Sequence, residues 1–252
     1  PGNSIFRLRE FEMMELEFFV PPDDEMKWLE YWKTQRLEWH LGLGIRREKL
    51  RFREHGKKEL AHYATAAFDV EYEFPFGWSE LEGIAARGDY DLRQHQQASG
   101  RDLSYFDDLT RVRYIPHVVE PSVGVDRTML TLLLDAYAEE EVRGEQRVVL
   151  RLNKAIAPVQ VAILPLSRKE PLTATARQLE HELRPHFRTE YDDTQSIGKR
   201  YRRQDEIGTP FAVTVDFETG QDQAVTIRAR DDMTQVRVPL TGLRRALEER
   251  LR

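Results

Sequence analysis

The sequence predicts an α+β protein made of two domains. Over the first 150 or so residues, predicted strands follow one another with few helices between them, which favours an antiparallel sheet. Over the last 100 or so, strands and helices alternate, as in a compact α/β domain. The net charge also changes sign: residues 1–150 carry 20 Lys and Arg against 29 Asp and Glu (−9), and residues 151–252 carry 18 against 15 (+3). We therefore expect domains at 1–152 and 153–252.

The composition narrows the possible chemistry. The 252 residues are 40% hydrophobic and 33% charged, which is typical of globular proteins. The absence of cysteine excludes disulfides, thiolate metal sites and a cysteine nucleophile, and fits a cytoplasmic protein. No window reaches the roughly 18 apolar residues of a membrane helix, so no membrane association is expected. The seven histidines show no metal-binding spacing, so no metal site is predicted from the residues alone.

Residues 5–20 alternate between apolar and charged side chains and are predicted to form one long strand. Arg7 and Phe11 are four residues apart and would share a face of that strand. An Arg can bridge phosphate oxygens and an aromatic ring can stack on a purine, so this pair could bind a nucleotide. The alternative is a solvated strand face with one exposed Phe.

The remaining elements follow from periodicity and from turn residues. In the first domain we predict helices over 25–41, 89–98 and 125–137, strands over 66–74, 79–85 and 114–120, and a turn over 121–124. In the second domain we predict strands over 160–164, 188–191, 211–215 and 224–228, with helices over 172–183, 197–205 and 240–251.

Two local patterns could bind ligands. Glu80 and Glu82 are predicted to share a strand face directly before Gly83, where they could hold a metal or an ammonium group or could simply face water. Glu120 is followed by a Gly-containing turn and by Arg127 at the predicted helix start, a natural place for an anion. The alternative there is a capped helix with a surface Arg.

Taken together, these segments resemble class II aminoacyl-tRNA synthetases. FRLREFEMMELEFF resembles the second half of motif 2, with its Arg-x-x-x-Phe pattern, and EPSVGVDR resembles motif 3. HYATAAFDVEYEFPFGWSELEGIAARGDYDL resembles the glycyl-specific members, and SIGKRYRRQDEIGTPFAVTVDFET resembles their anticodon-binding domain. The resemblance implies a partial class II antiparallel-sheet catalytic domain followed by an α/β anticodon-binding domain.

The resemblance also implies an activity. Such enzymes join glycine to ATP, with Mg²⁺, to form glycyl-adenylate, and then transfer the glycyl group to the 3′ end of tRNA(Gly). They are cytoplasmic homodimers without a membrane partner. The Arg-x-Glu element and motif 1 that precede this strand in the family are not in the sequence. We therefore expect a C-terminal part of the enzyme that does not adenylate glycine by itself.

The resemblance assigns roles to individual residues. Phe11 would stack on adenine, Arg127 would bind the γ-phosphate, and Glu80 and Arg127 would be catalytic. Glu80 could face either the glycine ammonium or the Mg·ATP side. The residues assigned to ATP are Phe6, Arg7, Leu8, Arg9, Glu10, Phe11, Glu80, Leu81, Gly124, Val125, Asp126 and Arg127. Those assigned to glycine are Phe11, Glu12, Met13, Met14, Glu15, Glu120, Pro121, Ser122, Val123 and Gly124.

In the second domain, basic residues surround Tyr201 near the start of a predicted helix. Basic and aromatic side chains together suit RNA, whereas a solvated helix face paired with Asp205 and Glu206 is the alternative. The candidate tRNA-binding residues are Lys199, Arg200, Arg202 and Arg203.

Two other functions compete with a synthetase: a non-catalytic relative that binds nucleic acid as an accessory subunit, and a tRNA-binding module alone. The presence of the family's ligand-binding residues favours descent from a working synthetase.

Overall fold

A computed structural model describes residues 1–142 and 144–252. The chain packs as two compact units, Pro1–Asp135 and Ala136–Arg252. None of the helices in these residues is long and apolar enough to cross a bilayer.

The first unit is built on a six-stranded antiparallel sheet. Its strands are β1 (Met13–Glu15), β2 (Phe18–Val20), β3 (Leu50–Glu54), β4 (Ala66–Phe74), β5 (Gly77–Gly88) and β8 (His117–Gly124), and a separate hairpin is formed by β6 (Tyr105–Asp107) and β7 (Val112–Tyr114). The order across the sheet is β1-β8-β5-β4-β3, and β2 also pairs with β8. The helices are α1 (Glu25–Gly42), α2 (Tyr90–Ser99) and α3 (Val125–Ala136), with 3₁₀ turns at Ser4–Phe6, Pro22–Asp24 and Arg47–Lys49.

Helices α1 and α3 cover one face of this sheet. Leu29, Trp28 and Trp32 of α1 and the leucines of α3 pack against strand residues such as Val70 and Ile84. Burial of this apolar layer is the main source of stability, at about 25 cal/mol per Å² of apolar surface. Side chains on the opposite sheet face, among them Glu80 and Ser122, line a cavity.

The single strand predicted over residues 5–20 is wrong. Residues 13–15 and 18–20 form separate short strands on β8, and the register across the gap is continuous, from Glu15 opposite Ser122 to Phe18 opposite Val119. Leu16 donates its N–H to the carbonyl of Pro121 at 3.0 Å. Proline has no N–H to return that bond, so the ladder is interrupted there.

Residues 121–124 are not a turn, because β8 continues to Gly124. The sheet supplies partners on both sides of this segment: Met13 lies opposite Gly124, and Glu82 lies opposite Val123. Tertiary pairing therefore overrides the Pro and Gly that suggest a turn in the sequence. The predicted strand at 114–120 correspondingly begins at His117, and Tyr114 belongs to the β6–β7 hairpin.

The second unit is an α/β domain whose sheet is preceded in the chain by a β-hairpin. The hairpin strands are β9 (Tyr137–Val142) and β10 (Glu145–Leu150), and the sheet strands are β11 (Val161–Pro165), β12 (Thr189–Tyr191), β13 (Phe211–Val215), β14 (Ala224–Ala229) and β15 (Gln235–Pro239). The sheet order is β12-β11-β13-β14-β15, parallel among the first three strands and antiparallel after them. The helices are α4 (Leu172–Leu183), α5 (Ile197–Glu206), α6 (Thr219–Asp222) and α7 (Leu243–Leu251), with a 3₁₀ turn at Leu240–Gly242.

Both faces of this second sheet are covered. Leucines of α4 and α7 pack with Val161 and Val213 on one face. Ile197 and Tyr201 of α5 pack with Ala162, Leu164 and Ala212 on the other. The predicted helix 172–183 and the strands 66–74 and 211–215 match the structure residue for residue.

The packing boundary at Asp135 lies earlier than the boundary predicted at residue 152. The difference is the β9–β10 hairpin, whose acidic sequence resembles a solvated linker. Arg147 of β10 is fully buried and donates from Nε to Asp205 of α5 at 2.9 Å. That buried ion pair holds the hairpin to the second unit.

Candidate active site

A cavity of about 250 Å³ lies on the open face of the first sheet. The segment before β1, the first half of β5, the end of β8 and the start of α3 all contribute to its wall. Nine of the twelve residues assigned to ATP line it: Phe6, Arg7, Leu8, Phe11, Glu80, Leu81, Gly124, Asp126 and Arg127. Arg9, Glu10 and Val125 are not among its lining residues.

Arg127 is held in place from two sides. Its Nη1 donates to the main-chain carbonyl of Glu80 at 2.8 Å and lies 3.5 Å from the Glu80 carboxylate. Its guanidinium carbon lies 4.4 Å from the ring centre of Phe6. A guanidinium that is oriented in this way presents its remaining donors to the cavity, where they can bind an anion.

The segment before β1 is tied to the start of α3. The Val125 N–H donates to the Glu12 carbonyl at 2.9 Å, and the Glu12 N–H donates to the Asp126 carboxylate at 3.4 Å. These bonds hold Phe11 at the cavity mouth, where 55% of its surface is exposed. Arg7 and Phe11 therefore reach one cavity through an irregular segment and not through a shared strand face.

The prediction that Glu80 and Glu82 share a face is wrong. In the β4–β5 pairing, Glu71 lies opposite Glu80 but Val70 lies opposite Glu82, so Leu81 is an extra residue in β5. Such a β-bulge reverses the side-chain alternation beyond it. Glu80 consequently faces the cavity, and Glu82 is fully buried on the helix-covered face.

A second group of polar residues adjoins the cavity on β1 and β8. Ser122 donates from its hydroxyl to the Glu15 carboxylate at 3.2 Å. Glu120 accepts from Arg87 at 2.7 Å, and Arg87 also binds Asp91. Another cavity of about 220 Å³ continues along the same face and shares Glu80, Gly83 and Ser122 with the first, so the open face carries one continuous groove.

Glu120 is electrostatically unusual. Burial, a hydrogen bond with Glu17 and the negative charges of Glu17 and Glu15 raise the pKa of Glu120 to about 7, although Arg87 acts against them. Adjacent carboxylates that repel one another provide a favourable environment for a small cation.

The residues assigned to glycine are only partly brought together. Phe11, Met13, Ser122 and Gly124 line the first cavity, and Glu120 and Ser122 line the second. Pro121 and Val123 are buried, because they alternate with Glu120, Ser122 and Gly124 along β8. Glu12, Met14 and Glu15 are not among the lining residues of either cavity, and Glu15 adjoins the groove through its hydrogen bond with Ser122.

Glu17, Gly83 and Arg87 also belong to this groove and its surroundings, and they were not predicted as site residues from the sequence. Glu17 has the same period-two spacing as Glu15, so that signal was present in the sequence. Arg87 reaches Glu120 only through the pairing of β5 with β8, for which the sequence contains no local signal.

In the second unit, the basic segment does not form one surface. Arg200 is only 1% exposed and donates to the main-chain carbonyls of residues 165, 193, 194 and 195. Burial lowers the pKa of its guanidinium from the ordinary value. The Tyr201 hydroxyl bonds to Thr214 at 2.6 Å, so its ring packs inward and is not a free stacking platform.

The other three basic residues differ in accessibility. Arg203 is bonded to Asp192 and Thr194. Arg202 lies 3.7 Å from Glu145, and Lys199 is exposed. Lys199 and Arg202 are therefore the predicted residues that remain most available for RNA.

Comparison with known proteins agrees with this arrangement. A family model described as an anticodon binding domain matches residues 160–250. A prolyl-tRNA synthetase structure from Cryptosporidium parvum superposes with a TM-score of 0.73 and 15% identity, covering 99% of this chain and 52% of that one. The fold is therefore that of a class II aminoacyl-tRNA synthetase with an anticodon-binding domain.

Curated proteins found by sequence comparison have a higher sequence identity to this chain than that structure has. The glycine–tRNA ligase of Caldanaerobacter subterraneus is 57% identical over the whole chain and 54% of its own length. The glycine–tRNA ligase of Thermobifida fusca is 54% identical over the whole chain and 56% of its own length. The chain thus spans about half the length of the curated glycine–tRNA ligases to which it is similar.

Proposed function

We propose that this chain carries the ATP- and glycine-binding surface of a glycine–tRNA ligase, together with its tRNA-binding domain. The reaction joins glycine and ATP into glycyl-adenylate and pyrophosphate, and then transfers the glycyl group to the 3′ end of tRNA(Gly). The observation that carries the proposal is the direct junction of the Arg127–Phe6 cavity with the Glu15, Ser122 and Glu120 group.

The proposed chemistry needs no nucleophile from the protein. A carboxylate oxygen of glycine attacks the α-phosphorus, and the bond from that phosphorus to the pyrophosphate oxygen breaks. The enzyme then has to orient both substrates and neutralise phosphate charge. Arg127 supplies a fixed positive charge, and the exposed ring of Phe11 offers a surface for the adenine. The prolyl-tRNA synthetase of the same fold was solved with L-proline and AMP, which supports an amino acid and a nucleotide in such a cavity.

Glycine would be recognised by its charge and by its lack of a side chain. The carboxylates of Glu15 and Glu120 are suited to its ammonium group. Gly83 lines both cavities, and its missing Cβ leaves open space whose nearest neighbour, the Glu80 Oε1, is 4.0 Å away. A missing methylene contact alone gives only about 1–3 kcal/mol of discrimination, so the proposed selectivity for glycine rests on a clash between a larger amino acid and the groove once ATP and glycine fill that space.

Magnesium would bind at this site together with the nucleotide, with substrate phosphates among its ligands. Among the described residues, no three His, Asp or Glu side chains converge on one point. Mg²⁺ is commonly held by one or two carboxylates plus substrate phosphates. Glu80, whose side chain is about half exposed beside Arg127, would supply the carboxylate.

The second unit would bind tRNA(Gly). Its match to an anticodon binding domain supports this role, and the exposed Lys199 is suited to phosphate contacts. From the similarity to glycine–tRNA ligases we also propose a cytoplasmic homodimer.

The test is glycine-dependent ATP–pyrophosphate exchange, followed by aminoacylation of tRNA(Gly), with the complete natural protein. Exchange with glycine and not with alanine is expected. Absence of exchange, together with equal binding of tRNA and duplex DNA, would instead indicate a nucleic-acid-binding accessory protein.

A further inference from the structure

Glu82 is a buried carboxylate directly behind the proposed active site. Its Oε1 accepts from Arg36 Nε at 2.5 Å, and its Oε2 is 2.6 Å from His40 Nε2. His40 and Glu82 are both fully buried, and Arg36 and His40 lie one turn apart on α1. The Glu82 carboxylate can accept from His40 Nε2, and His40 Nδ1 has no partner among the described residues. We call these three residues the Glu82 clamp.

The clamp is associated with a position of the β5 bulge that the local sequence does not favour. In β5 the extra residue is Leu81, and this places Glu82 on the apolar face opposite Val70. If the bulge lay instead at Gly83, Leu81 would lie opposite Val70 and Glu82 would point to the open face. Leu81 is buried in the observed arrangement too, but the alternative would in addition expose a charged side chain and use a glycine at the bulge, both of which are ordinarily favoured.

The two arrangements differ in what faces the cavity. With the bulge at Leu81, Glu80 and Gly83 share the open face, and Gly83 lies opposite Ser122. With the bulge at Gly83, the Glu82 side chain would enter the groove beside Ser122. It would fill the space that Gly83 leaves and would add a further negative charge near Glu80 and Glu120.

We propose that the Glu82 clamp is a positioning device that holds the β5 bulge at Leu81, so that Gly83 and not Glu82 faces the groove. Arg36 and His40 do this from the opposite side of the sheet, without touching a substrate. Arg36 and His40 together compensate the buried charge of Glu82, and loss of either partner leaves that charge incompletely paired, which strongly disfavours the inward position. The consequence for catalysis rests on the proposed function, but the strand register does not.

The direct test is the β4–β5 register of His40→Leu in the full chain, read from cross-strand backbone NOEs. The clamp predicts a change from Asp69–Gly83 to Asp69–Glu82 contacts. His40→Gln, whose amide can replace the Nε2 donor, should keep the native register. Lys33→Leu, on the same helix and packed on Phe68 of β4 but bonded to Glu30, is the matched control.

Native Asp69–Gly83 contacts in a folded His40→Leu variant would overturn the proposal. If His40→Leu does not fold, Arg36→Met provides the same comparison with a partly exposed residue. In the complete natural protein, His40→Leu should raise the glycine KM at least tenfold with the ATP KM nearly unchanged. A changed register without that split would uphold the clamp and count against the proposed glycine site.

Discussion

Arg127 donates a 2.8 Å hydrogen bond to the main-chain carbonyl of Glu80, and this contact joins the start of α3 to the bulged part of β5. The two residues are 47 positions apart in the sequence. The bond fixes a cation at the wall of the groove, and the Glu80 carboxylate forms an ion pair with it at 3.5 Å. The position of Arg127 thus depends on backbone geometry as well as on charge.

Arg127→Lys should therefore impair nucleotide use even though it conserves the charge. A lysine cannot both stack on Phe6 and bind the Glu80 carbonyl with the same flat group. We expect the ATP KM in pyrophosphate exchange to rise about tenfold or more, equivalent to about 1.4 kcal/mol. Arg113→Lys, on the exposed β6–β7 hairpin, should leave it unchanged. An unaltered ATP dependence of Arg127→Lys would remove Arg127 from the nucleotide site.

Glu120 should make the stability of the protein depend on pH. Because its pKa is raised from 4.5 to about 7 in the folded protein, the folded state holds its proton more tightly than the unfolded state does. The resulting stabilisation is complete below about pH 4.5 and is lost as the pH rises through 7. It amounts to at most about 3 kcal/mol.

Replacing Glu120 with Gln should flatten this dependence. Denaturant melts between pH 5 and 8 would show the wild-type free energy of unfolding falling relative to that of Glu120→Gln. Glu10→Gln, at an exposed position outside the cavity, is the control. Parallel curves for wild type and Glu120→Gln would show that Glu120 titrates normally.

Gly208 should not tolerate a side chain. Its φ is +85°, and an added Cβ would lie 2.9 Å from Leu152 Cδ1 and 3.2 Å from the Leu150 carbonyl. We expect Gly208→Ala to destabilise the protein by about 2–4 kcal/mol in denaturant melts. Gly198→Ala, in α5 with no atom within 4 Å of the added Cβ, should be neutral or slightly stabilising. Equal effects of the two substitutions would contradict this account.

Arg200 and Lys199 are neighbours that should behave oppositely. Arg200→Lys removes most of the donors that bind four main-chain carbonyls around a buried side chain, so the melting temperature should fall, corresponding to about 2–4 kcal/mol. Lys199→Ala should leave the melting temperature unchanged but weaken tRNA binding and reduce its salt dependence by about one phosphate contact. If Arg200→Lys melts like wild type and only loses tRNA affinity, Arg200 is an RNA contact after all.

The elements that the sequence predicted well are those with their own periodicity and turn signals. Strand β4 and helix α4 are examples. Val70 and Leu179 belong to regularly spaced apolar residues in these elements, and both pack in a hydrophobic core. The break between β1 and β2 could not be predicted, because its cause is Pro121 in a strand about 100 residues away. The polar β9–β10 hairpin was missed because its stability comes from Arg147 and Asp205, which meet only in the fold.

In the candidate site, too, the features that depend on contacts distant in the sequence could not be predicted. Resemblance to the family assigned residues to ligands, and the structure brings many of them to one groove. Which of two nearby carboxylates faces that groove depends on the bulge at Leu81, which follows no local rule. The burial of Arg200 likewise comes from carbonyls on two loops and could not be inferred from its basic neighbours.

The most direct test of the proposed glycine site is to measure the glycine KM and the ATP KM of Glu15→Ala in the complete natural protein. Glu15 binds Ser122 beside the groove and away from Arg127, so its loss should raise the glycine KM in pyrophosphate exchange about tenfold or more and leave the ATP KM within about twofold. Glu12→Ala is the control, because the bonds that Glu12 makes to α3 use only its main chain. An unchanged glycine KM in Glu15→Ala would contradict the assignment of this groove to glycine.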